Sequence, residues 1–275
     1  MLVLHLTPAQ GESTPHGLLS LVDSRDTFSR TSLARVLYHS LFDIAGAECT
    51  AANVRISVVR PVFVGMARTI DALLDAVFDP TGDKSGDELY SRLLHASAPP
   101  AVQAAVASLS ADNRLAALRV CALTRNMVSL PELLVSELCK PELAQLRAEL
   151  AGQVGAAPHI LLYYSPDLMR LTLVPTPPVV GAGEEAKLAA GRAVEAVPAP
   201  TYSAALLALQ FLFAKVRVVL PLSVSKPKQH DASVGSLVTR AKVAGWTGED
   251  LLRLVRDHCR YVSSRGTEGY FIIDT

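Results

Sequence analysis

This sequence has no paired cysteines, no metal-spaced histidines and no net charge. Cys49, Cys121, Cys139 and Cys259 are far apart and form no CxxC pair. Zinc spacing is therefore absent, and the four read as buried free thiols of a reducing compartment. The seven histidines (His5, His16, His39, His95, His159, His230, His258) show neither HExxH nor H-x-x-x-H spacing. There is no GxSxG elbow, and no cysteine sits in a recognisable catalytic frame. With 26 basic and 26 acidic residues, no global field draws the chain to nucleic acid. Long apolar runs are also missing: Ala204–Ala214 stops at Lys215, at about half a membrane span. The opening MLVLHLTPAQ lacks the basic start and apolar length of a signal peptide. These absences predict a soluble intracellular protein with no catalytic residue, no metal and no cofactor.

Half of the 275 residues are hydrophobic, enough for one large domain or two small ones. The organising stretch is His16–Ala45. There an apolar run (Leu18–Val22) leads through a polar loop (Asp23–Thr31) into a segment with Leu33, Val36, Leu37, Leu41 and Ile44 on one helical face. Strand, polar loop and helix in succession is how a phosphate-binding βα unit begins. A G-x-x-x-x-G-K-[ST] frame laid on Ser24–Thr31 puts Ser24 and Ser29 at the glycine positions, Arg30 at the lysine and Thr31 at the hydroxyl. Two added Cβ atoms obstruct the close approach of a phosphate to the backbone, and a planar guanidinium does not replace a compact ammonium. The reading that follows is a helix N-capped by Ser29 or Thr31 in a degenerate phosphate loop.

Along the rest of the chain, residues 2–6 and Val54–Val59 read as strands, the latter closing a βαβ crossover. Residues 66–78 read as a helix or a helix plus strand, with Asp71, Asp75 and Asp79 four apart in solvated or capping roles rather than as a cation site. Leu89–Leu109 reads as two helical pieces broken at Pro99–Pro100. Leu115–Leu123 reads as a central strand, and its run into Thr124, Arg125 and Asn126 lacks the acidic end that an active nucleotide hydrolase needs for magnesium. Pro131–Lys140 and Pro141–Leu150 read as helices with proline in the first turn, their leucines Leu133, Leu134, Leu143, Leu146 and Leu150 facing the core. Ile160–Tyr164 reads as a strand followed by a turn at Ser165–Pro166 and a further apolar segment to Val174. The Pro, Gly, Ala and Glu-rich stretch 175–200 reads as a flexible insertion, and Gly181-Ala182-Gly183 within it is a very weak dinucleotide signal.

Ala204–Phe213 reads as a short helix and Lys215–Leu222 as a strand. Gly245–Gly248 reads as a hairpin turn between strands, with a helix over Glu249–Arg256 as the open alternative. Lys226, Lys228, Arg240, Lys242, Arg253, Arg256, Arg260 and Arg265 outnumber Asp231, Glu249, Asp250 and Asp257 in this final part. The first seven of these are candidate RNA contacts.

The segment LLSLVDSRDTFSRTSLARVL, with Asp23, Ser24, Arg30, Leu33 and Leu37, resembles the opening of Elongator subunit five, and DAVFDP (Asp75–Pro80) resembles that family's later acidic–aromatic segment. The tryptophan and the Asp-Ser strand end of many members are absent here. The resemblance implies an α/β fold with a RecA-like, mostly parallel central sheet flanked by helices and a β-rich C-terminal end. It implies a RecA-like domain over 1–222 and a basic extension over 223–275 that completes the sheet. It further implies a pseudo-ATPase-like, non-catalytic subunit in a hetero-hexameric ring with two similar subunits, Elongator four and six. That ring binds tRNA and serves wobble-uridine modification, in the cytoplasm and also the nucleus, with no membrane involved. A scaffold or capsid-like protein of another α/β fold, and a divergent NTPase using Arg30 and Thr31, are the competing readings.

Overall fold

The computed structural model describes residues 29–47, 61–78, 94–96, 98–124, 130–151, 159–173, 199–220, 229–264 and 268–274. The chain divides into two compact units, and the described residues up to Pro99 belong to the first and those from Pro100 to the second. The expected strands at 2–6, Leu18–Val22 and Val54–Val59 lie outside the described residues, as does the insertion expected at 175–200 except for Ala199 and Pro200, which are helical.

The first unit holds an antiparallel pair, α1 (Arg30–Ala47) and α2 (Pro61–Phe78). Leu33, Leu37 and Leu41 recur every four residues and are buried, as are Ile70, Leu73, Leu74 and Val77 of α2. Val36, placed on the same face by its spacing, is instead about half exposed, because a stripe that packs one partner helix is narrower than the apolar pattern. Residues 66–78 are helical throughout.

The second unit opens with α3 (Pro100–Val106), α4 (Ala111–Leu123) and α5 (Pro131–Leu138), followed by a 3-10 turn (Pro141–Leu143) and α6 (Ala144–Leu150). The proline break at 99–100 and the two proline-led helices are as the sequence reads. Leu134, Leu143, Leu146 and Leu150 are buried, whereas Leu133 is 40 % exposed. α4 corrects the expectation of a central strand at Leu115–Leu123. Leu115 to Cys121 are buried without a break. A helix apolar all round is a core helix, and a continuous apolar run does not distinguish it from a buried strand.

The rest of the unit comprises β1 (His159–Tyr163), α7 (Ser165–Leu173), α8 (Ala199–Val219), β2 (Gln229–Ser233), α9 (Gly235–Ala244), α10 (Gly248–Asp257), β3 (Cys259–Ser263) and β4 (Glu268–Ile273). Ser165 and Pro166 open α7, where the sequence reads as a turn before a further apolar segment. α8 absorbs the expected short helix and residues 215–219 of the strand expected at Lys215–Leu222, whose last two residues lie outside the described residues. Its β-branched KVRVV end stays helical, although Val218 and Val219 are exposed, because Lys215, Val216 and Arg217 are committed in that geometry. Val216 is buried, Lys215 Nζ donates to Cys259 O at 2.6 Å, and Arg217 forms a bidentate pair with Glu149 of α6 at 2.7 and 2.8 Å. Tertiary contacts of this kind override β propensity. Breaking a buried ion pair costs about 3–5 kcal/mol, so register along α8 is strongly held. Among the described residues α8 alone is long and apolar enough to cross a membrane, over Tyr202–Val219, and half of that window is buried inside the protein.

The sheet runs β1-β2-β4-β3, with β1, β2 and β4 parallel and β3 antiparallel to β4. Among the described residues it is a small mixed sheet alongside a helical majority, so the coarse α/β description holds. The register puts Ile160, Leu162, His230, Ala232, Gly269, Phe271, Tyr261 and Cys259 on one face, and all eight are buried. Asp231, Tyr270 and Arg260 lie on the other face, with Tyr270 and Arg260 exposed. Gly245–Gly248 is not a hairpin: residues 245–247 link α9 to α10, and Gly248 opens α10. Gly245 takes φ 63°, the left-handed value that ends a helix, and its N–H donates to Ala241 O at 2.9 Å. Thr247 then caps α10 through a reciprocal box with Asp250: Thr247 N–H donates to Asp250 Oδ2 at 3.0 Å, and Asp250 N–H donates to Thr247 Oγ1 at 3.4 Å.

Candidate functional site

Ser29 closes the polar loop at the entrance to α1. Its Oγ accepts from Ser32 N–H at 3.1 Å, and its carbonyl accepts from Leu33 N–H at 3.0 Å. This is N-cap geometry, in which a hydroxyl satisfies a backbone donor that has no partner within the helix. Ser24 lies outside the described residues. Thr31 is exposed in the first helical turn.

Arg30, at the position a phosphate-loop lysine would take, turns away to α2 and places Nη2 2.6 Å from Asp75 Oδ1. One turn earlier on α2, Asp71 Oδ1 accepts from the Tyr38 hydroxyl at 2.7 Å. That hydrogen bond, helped by burial and the nearby charge, pushes the Tyr38 phenol up to about 12. The spaced aspartates that the sequence set aside as a cation row thus act as acceptors in a helix–helix contact; Asp79 lies outside the described residues. Arg30 and Asp75 are both at least half exposed, so the pair contributes within about 0–1 kcal/mol and sets orientation more than stability.

Three of the basic candidates are already paired with carboxylates among the described residues. Lys226, Lys228 and Arg265 lie outside the described residues. Arg253 on α10 pairs with Asp250 at 2.7 Å, Arg256 with its neighbour Asp257 at 2.9 Å, and Arg260 on β3 with Asp274 at 2.7 Å. Arg240 and Lys242 on α9 are exposed and form no ion pair among the described residues. Two positions apart on a helix, they point to different sides.

Several polar residues gain a role that the sequence does not announce. Arg119, inside apolar α4, is buried and donates to the carbonyls of Glu149 and Leu150 at the end of α6. A cation there meets the negative end of the helix dipole. His230 of β2 and Tyr261 of β3 are hydrogen-bonded in the interior of the sheet. Burial lowers the His230 pKa from its ordinary value, opposed by the charge of Asp231, and raises the Tyr261 phenol to about 12. The buried thiols of Cys121 and Cys259 are likewise pushed up, to about 12 and 11, so neither is an activated nucleophile. A cleft of about 380 Å³ lies between α5, α8 and α10, with Glu137, Lys140, Ser203 and Glu249 around Leu207 and Leu252. Its walls come from three distant stretches, so no local spacing could reveal it.

Among the described residues no three His, Cys, Asp or Glu side chains gather as metal ligands. Comparison with family models, with curated proteins and with solved structures gave no match.

Proposed function

We propose that this chain is a non-catalytic α/β subunit of a protein assembly. The observation that carries the reading is Arg30: the cation at the lysine position of the degenerate loop is held by Asp75, while Ser29 at a glycine position serves as a helix cap. The finer form of the proposal follows the resemblance to Elongator subunit five. In it, the chain is RecA-like and joins two similar subunits in a hetero-hexameric ring, in cytoplasm or nucleus, that helps to hold tRNA for wobble-uridine modification. The basic C-terminal part would contribute phosphate contacts.

The test is nucleotide chemistry. The purified chain should show no ATP turnover, and Arg30→Ala should leave that baseline where it is. Turnover abolished by Arg30→Ala would replace this proposal with a divergent NTPase. A second reading, a structural protein of a different α/β fold, is favoured by α4, a helix where a RecA-like order expects a central strand.

A further inference from the structure

We draw no further inference here: the strongest candidate, the cleft between α5, α8 and α10 with Glu137 and Glu249 at its rim, carries nothing because no second observation points to a ligand and nothing in the structure shows what occupies it.

Discussion

The Tyr261 hydroxyl reaches His230 by passing over Gly269, the residue of β4 that lies between their strands. A Cβ built on Gly269 would collide with the Tyr261 ring and sit 2.7 Å from the Val262 carbonyl. Glycine is required here for close approach, and the tyrosine covers the gap it leaves. Gly269→Ala should therefore destabilise the chain by at least the roughly 1–3 kcal/mol typical of overpacking, read as a lower urea midpoint. Tyr261→Ala removes the ring but leaves the Val262 carbonyl, so the double variant should still be destabilised, by less than the sum of the two losses. Strict additivity would mean that the ring does not set the need for glycine.

His230 gives the fold a pH dependence of known sign. Burial holds its folded pKa below the ordinary 6.5, despite the opposing charge of Asp231. The folded state therefore favours the neutral ring, and the unfolded chain binds the proton more readily. This contribution is fully present above about pH 6.5 and is lost as the pH falls through that value toward the lower folded pKa. Urea midpoints at about pH 7.5 and about pH 5, on either side of the ordinary histidine value, should differ, and His230→Gln should shrink the difference. An unchanged difference in the variant would assign the acid sensitivity elsewhere.

If the C-terminal part touches RNA, Arg240 and Lys242 should matter more than the paired cations. Arg253, Arg256 and Arg260 each already face a carboxylate, whereas Arg240 and Lys242 form no ion pair among the described residues. Replacing Arg240 and Lys242 by alanine should weaken RNA binding by the assembled complex. The slope of log affinity against log salt should flatten by about 0.7 for each single-strand phosphate that is no longer neutralised. Arg256→Ala should do less. Equal affinity and slope in the Arg240/Lys242 variant would remove α9 from the RNA surface.

The helices were legible wherever a local signal sufficed. Pro131 and Pro141 open their elements, Leu33, Leu37 and Leu41 mark a buried stripe, and Ser29 caps α1. Continuous apolar or β-branched runs hide the element type. At Leu115–Leu123 burial on all sides erased the helical period, and at Lys215–Val219 the deciding partners, Glu149 and Cys259, lie more than forty residues away. The Gly245 turn is legible as a turn, but whether strands or helices flank it depends on the Thr247–Asp250 box, whose spacing is also that of an ordinary polar loop. As for the candidate site, the missing glycines were plain in the sequence. The partner that occupies Arg30 was not, because Asp75 is forty-five residues away and meets it only through the antiparallel packing of α1 and α2.

The central claim is tested most directly by what the chain binds in the cell. A tagged copy recovered from native cytosol, sized and identified by mass spectrometry, should come back with two different RecA-like chains in a six-membered particle. Recovery of the chain alone, or with unrelated proteins, would contradict the ring and leave the α/β subunit without that assembly.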